Sequence, residues 1–98
     1  MPDTEVVVAA HDVMTADFSP DVVLLNLQDG VYYSVEDVGA RVWTLLQTPI
    51  ALGAILDAIA TEFDVDRAQS DRDVRAFVQQ LVDRGLAAVC GGVRGDAR

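Results

Sequence analysis

His11 and Cys90 are the one histidine and the one cysteine of the chain, so any thiol or imidazole chemistry must run through them. A thiolate nucleophile activated by an imidazole also needs a third group to orient the base. The two stand near opposite ends of the sequence, Cys90 beside the glycine-rich tail GGVRGDAR. A zinc site takes three or four nitrogen or sulfur ligands, and only these two side chains could supply them. Glu62, Asp64, Asp66, Asp71 and Asp73 gather carboxylates into one short stretch. Their spacing lacks the glycine at position six and the glutamate at position twelve of a calcium loop, and reads as a solvated acidic turn leading into a helix. No lysine occurs anywhere, which removes Schiff-base chemistry and the lysine-bearing phosphate loop. The expectation is a protein that is not an enzyme, with no catalytic residue, no bound metal and no cofactor.

Charge narrows the partners. Sixteen acidic residues against seven arginines leave a net charge of −9. Nucleic-acid affinity rests on cations that displace phosphate counterions, so DNA and RNA are poor partners. Neutral or basic apolar peptides suit such a field better. Ninety-eight residues make one domain with one modest core. The apolar fraction of 51% argues against disorder despite the charge. No apolar run approaches the ~20 residues of a spanning helix. The opening MPDTEVVVAAHD begins with acids and has no signal-peptide core. A single cysteine allows no internal disulfide and fits a reducing cytoplasm.

The elements follow from pattern. Val6 to Val8 is a β-branched run that fits an arm, and residues 1–11 are assigned to it. Val13 to Phe18 predicts a strand, with a turn at Ser19-Pro20-Asp21. VVLLNLQDGVYYSV then predicts a hairpin. A two-residue Asp29-Gly30 turn would pair Gln28 with Val31 and Asn26 with Tyr33, mixing polar and apolar residues on one face. A three-residue loop over 28–30, with Gly30 left-handed, pairs Leu27 with Val31, Leu25 with Tyr33 and Val23 with Val35. Burial specifies register, which favours the second.

Three helices complete the chain. Ser34 with Asp37 resembles a capping box ahead of Val38, Val42, Leu45 and Leu46, with Trp43 in the core. Thr48-Pro49 offers an N-cap and a first-turn proline before the stripe Leu52, Ile55, Leu56, Ile59 and Phe63. Ser70 with Asp73 repeats the cap before Val74, Phe77, Val78, Leu81 and Val82, and Gly85 sits where a C-terminal cap belongs. The fold class is α+β: a three-stranded antiparallel meander followed by three helices, with a disordered tail over 90–98.

In a meander the third strand has one free edge. VYYSV, residues 31–35, carries no lysine, proline or inward charge to blunt it. That edge is either covered by the arm at Val6–Val8, paired in a dimer, or open to a visiting strand.

LLNLQDGVYYSVEDVGARVWTLL and DVRAFVQQLVDRGLAAV, in this order, resemble the PqqD-like superfamily, the RiPP recognition elements, over residues 12–89. The resemblance implies a winged-helix-like domain that binds the leader of a ribosomally made precursor peptide. The leader becomes a fourth antiparallel strand between the third strand and the third helix, Asp71 to Arg84. By length and the tyrosine pair, the chain most resembles the stand-alone protein of split lasso-peptide systems. The implied partners are the precursor leader peptide, a leader peptidase of the cysteine-protease class and an asparagine-synthetase-like cyclase, with neither nucleic acid nor membrane. The alternatives are a peptide chaperone of pyrroloquinoline quinone biosynthesis, or a winged-helix or dimerisation module that binds no peptide.

Carried onto this sequence, the resemblance implies peptide contacts from Val31, Tyr32, Tyr33, Ser34 and Val35. Val31, Tyr33 and Val35 floor the cleft. Asp73, Ala76, Phe77 and Gln80 form its helical wall, or else the opposite border, Arg75, Val78, Gln79 and Val82, does so. Asp71 and Asp73 either cap the helix or meet basic residues of the leader. Val31 departs from the family pattern, where a polar or basic residue is common.

Overall fold

A computed structural model describes residues 2–18 and 21–90. The chain runs β1 (Val6–Ala9), β2 (Val13–Phe18), β3 (Asp21–Asn26), β4 (Tyr32–Glu36), α1 (Val38–Leu45), β5 (Ile50–Ala51), α2 (Leu52–Glu62), α3 (Arg67–Asp83) and β6 (Ala87–Val89). The expected α+β architecture is present: β2, β3 and β4 form an antiparallel meander, joined to three helices. A second small sheet, ordered β5-β1-β6, was not anticipated. The turn expected at Ser19-Pro20 and the tail beyond Cys90 lie outside the described residues.

The segment expected as an arm is the centre of that second sheet. Val7 pairs with Ile50 on one side and Val89 on the other, and its side chain is fully buried. Ala9 N donates to Leu46 O at 2.8 Å, and Ala10 N to Leu86 O at 2.9 Å. Short β-branched strands gain stability from such packing on neighbours more than from intrinsic preference. With β1 held here, its backbone pairs with β5 and β6 and not with β4.

The meander register differs from the expected one. Leu25 pairs with Tyr32, Leu24 with Tyr33, Val23 with Ser34 and Val22 with Val35. A one-residue shift of pairing turns every β3 side chain to the other face. Val22, Leu24 and Asn26 therefore face the helices, and Val23 and Leu25 face outward. The connection between the strands has five residues, 27–31. Gly30 takes the expected positive φ, 72°, and its N–H donates to Asn26 O at 2.8 Å. The polar residue that seemed to forbid this face is satisfied there. Asn26 Oδ1 accepts from Gln28 N at 2.9 Å, and Nδ2 donates to Arg84 O at 3.2 Å.

Three cap assignments also change. β4 continues through Glu36, so Ser34 lies in a strand and caps nothing; Asp37 precedes α1 with φ 51° and no side-chain cap. Thr48-Pro49 leads into β5, and α2 starts at Leu52 after Ala51. α3 starts at Arg67, capped by Asp66, whose carboxylate accepts from Gln69 N at 3.0 Å. Ser70 is thus buried within the helix. The far end of α3 is as expected: Gly85 has φ 77°, its N–H meets Val82 O at 3.1 Å, and Leu86 N meets Leu81 O at 2.8 Å. That double bond is the Schellman ending.

The core gathers Leu24 from the meander, Val42, Trp43 and Leu46, the α2 stripe Leu52, Ile55, Leu56 and Ile59, and Val74, Val78 and Leu81 from α3. Each such side chain contributes roughly 1.5–3 kcal/mol on burial. Trp43 Nε1 donates to Thr15 Oγ1 at 3.0 Å, tying α1 to β2. The outer face of the meander carries Met14, Phe18 and Tyr32, all exposed.

Candidate functional site

β4 lies at the margin of the meander, with β3 on one side only. No described strand pairs with its other side. Alongside that margin runs α3, and between them lies a groove of about 360 Å³ lined by Tyr32, Tyr33, Ser34, Val35, Phe77, Gln80, Leu81, Arg84 and Leu86.

Alternation along β4 sets the floor. Tyr33 and Val35 point toward the helices and are half-buried against the core, while Tyr32 and Ser34 stand on the exposed rim. The wall comes from one stripe of α3, where Phe77, Leu81 and Arg84 recur at intervals of four and three. Phe77 reaches across to α1: a methyl group placed on Gly39 would lie 3.3 Å from its Cζ and 3.4 Å from Val35 Cβ. Only a residue without Cβ leaves that approach free. At the other end, the Arg84 guanidinium lies 5.3 Å from the centre of the Tyr33 ring, a cation–π distance.

The expected site residues divide. Tyr32, Tyr33, Ser34, Val35, Phe77 and Gln80 line the groove together. Val31 precedes β4, is exposed, and its carbonyl accepts from Asn26 N; it is not a lining residue. Ala76 is exposed on α3 outside the groove. Asp73 lines a separate hollow of about 150 Å³ with Val38, Val65, Gln69, Ser70 and Val74, and accepts from Gln69 Nε2 at 3.0 Å. Asp71 pairs with Arg67 at 2.8 Å, so neither acid caps the helix. Of the opposite border, Val78 is core and Arg75 pairs with Asp3. Leu81, Arg84 and Leu86 were missed, although their spacing from Phe77 and the cap at Gly85 mark that stripe.

Electrostatics at the Val35 end are acidic. Glu36 pairs across the sheet with Asp21. A hydrogen bond with the Asp21 carboxyl, then repulsion from Asp21 and Asp37, holds the Glu36 carboxyl above its ordinary range. Among the described residues, no group of three or more His, Cys, Asp or Glu side chains could hold a metal ion, and no helix is long and apolar enough to cross a membrane.

A meander joined to three helices, the last of which walls its margin, defines the winged-helix-like class found in RiPP recognition elements. The chain belongs to the PqqD family: the family described as coenzyme PQQ synthesis protein D matches residues 21–87. A PqqA binding protein of Rhodopseudomonas palustris (strain ATCC BAA-98 / CGA009) is 34% identical over 51 residues, 52% of this chain and 50% of the relative. The chain thus spans about half the length of the curated relatives it matches. A solved structure described as TbiB1 in complex with the TbiA(beta) leader peptide superposes with a TM-score of 0.75 at 38% identity, covering 82% of this chain and 93% of the other. Lasso peptide synthetase B1 complexed with the leader peptide gives a TM-score of 0.72 at 23% identity, with 83% and 95% covered; that likeness concerns the fold alone.

Proposed function

We propose that this protein binds the leader segment of a ribosomally made precursor peptide, which adds as a strand to β4 and packs its alternate side chains against α3. One observation carries the reading: an unpaired strand margin lies beside a partly apolar groove that already holds Tyr33, Phe77 and Leu81. Main-chain pairing gives affinity to such additions, and pockets for alternate side chains give selectivity. That the 38%-identical TbiB1 forms a complex with a leader peptide supports a peptide of this class as the ligand.

The protein works as a binding partner and not as a catalyst, in the cytoplasm, presenting a lasso-peptide precursor to a leader peptidase and an asparagine-synthetase-like cyclase. A second reading, chaperoning the precursor of pyrroloquinoline quinone, is favoured by the resemblance to PqqA binding proteins. The recognition domain expected over residues 12–89 also takes in β1 (Val6–Ala9), whose Val7 is fully buried in the core.

Amide spectra recorded during titration with a panel of leader peptides, TbiA(beta) among them, test the reading. Saturable shifts are expected at residues 31–36 and along Phe77–Arg84. Tyr33→Asp and Phe77→Ala should each weaken binding by more than about 1 kcal/mol. Undiminished binding by both variants refutes the site. A panel in which no peptide perturbs residues 31–36 refutes the function.

A further inference from the structure

Among the described residues that line the groove, Arg84 is the one that carries a charge, on a molecule of net charge −9. Its backbone is fixed from two sides. Its carbonyl accepts from Asn26 Nδ2 at 3.2 Å, and its N–H donates to Gln80 O at 3.0 Å. Its guanidinium lies over the Tyr33 ring, 5.3 Å from the centroid. A cation–π contact takes up none of the guanidinium N–H donors as hydrogen bonds.

Among the described residues, none accepts a hydrogen bond from those donors. Arg41, Arg67 and Arg75 each meet a carboxylate, whereas no ion pair joins Arg84 to any described residue. Closing the helix does not require the guanidinium either, because Gly85 and Leu86 N–H groups already serve Val82 O and Leu81 O.

We infer that Arg84 selects a carboxylate side chain in the C-terminal half of the added strand; this rests on the reading that a peptide pairs with β4. Direction supplies the position. α3 passes Phe77 beside Val35 and reaches Arg84 beside Tyr33. Every pairing within the meander is antiparallel. A strand added in that sense enters at the Val35 end and leaves at the Tyr33 end, so Arg84 meets its later residues. Side chains alternate across a strand, which places the acid in the row that faces α3. The in-plane donors match both oxygens of an aspartate or glutamate. Elsewhere the acidic surface disfavours such a residue, which makes Arg84 a determinant of register.

Selection from a random twelve-residue peptide display library tests this, using the full chain, Arg84→Met and Arg84→Glu. Arg84→Met keeps an unbranched stem over Tyr33 without the charge, and thermal melts of all three proteins check folding. Binders of the native protein should carry Asp or Glu in the C-terminal half of their aligned core. Binders of Arg84→Glu should carry Lys or Arg at the same place, and those of Arg84→Met neither. For one selected peptide, Glu→Lys should weaken binding to the native protein about tenfold and strengthen it to Arg84→Glu. The same acid preference in all three proteins, or a preference in the N-terminal half, overturns the role of Arg84 while leaving strand addition intact. A library that yields no binder perturbing residues 31–36 overturns strand addition and Arg84 selection together.

Discussion

The side-chain amide of Asn26 donates to the backbone carbonyl of Arg84 at 3.2 Å, joining the last residue of β3 to the C-terminal cap of α3. The same side chain accepts from Gln28 N at 2.9 Å. One nearly buried residue, 3% exposed, thus shapes the β3–β4 loop and fixes where α3 ends beside β4. Each bond contributes about 1 kcal/mol net, and a buried group left unpaired costs more than that. Asn26→Ala is therefore expected to lower stability by about 2 kcal/mol, read from the urea midpoint at unchanged slope. An unchanged midpoint would mean that water serves both groups equally well.

Gly85 closes the same helix at φ 77°. A Cβ there would still clear Asn26 Nδ2, at 3.6 Å, so the penalty of a side chain is conformational and not steric crowding. Gly85→Ala should cost about 1 kcal/mol and Gly85→Asn less, because asparagine tolerates the left-handed region better. Equal losses in chemical denaturation would contradict that account.

How much of this was legible in the sequence depends on the range over which each signal acts. The α2 stripe Leu52, Ile55, Leu56, Ile59 is unambiguous, since apolar residues at helical spacing mark one face without reference to the rest of the chain. The meander register is not. VVLLNL is apolar on both faces, so only Asn26 could break the tie, and its hydrogen bond to Arg84 lies 58 residues away. The second sheet is less legible still, because β1 finds its partners at residues 50–51 and 87–89. Ser70 and Asp73 imitate a helix start one turn inside the real one, which Asp66 caps. Tyr33, Val35 and Phe77 were reached as groove candidates through the family resemblance, which implies a cleft between the third strand and the third helix. Arg84 was not, because a helical wheel shows a residue's side of α3 and not which side β4 occupies.

The carboxyl pair at the end of the meander gives a pH signature. Asp21 opposite Glu36, helped by Asp37, raises the pKa of Glu36. A carboxyl whose folded pKa lies above its unfolded one binds protons preferentially in the folded state. Its contribution therefore favours folding at low pH and is lost as pH rises through the folded pKa. Glu36→Gln should raise the melting temperature at neutral pH, and the gain should shrink as pH falls through and below the ordinary carboxylate range. A gain that stays constant across that range would assign the effect to something other than the Asp21–Glu36 pair.

Gly39 separates stability from groove shape. It lies in the first turn of α1, where its φ is not positive, so alanine suits the backbone better by about 1 kcal/mol. Against that gain stands crowding: the new methyl would come within 3.3 Å of Phe77 Cζ and 3.4 Å of Val35 Cβ. Val35 is held in the sheet, whereas the Phe77 ring stands at the groove and can give way into it. The ring's retreat fills space that a bound side chain would use, so Gly39→Ala is expected to leave the melting temperature unchanged or higher while weakening leader-peptide binding about tenfold. Phe77→Leu, which removes the crowded Cζ, should recover part of that loss in the Gly39→Ala background, although in the native background it weakens binding. The coupling between the two positions, measured in a double-mutant cycle by calorimetric titration, is the deciding quantity. Strictly additive losses would mean that Gly39 does not act on the groove through Phe77.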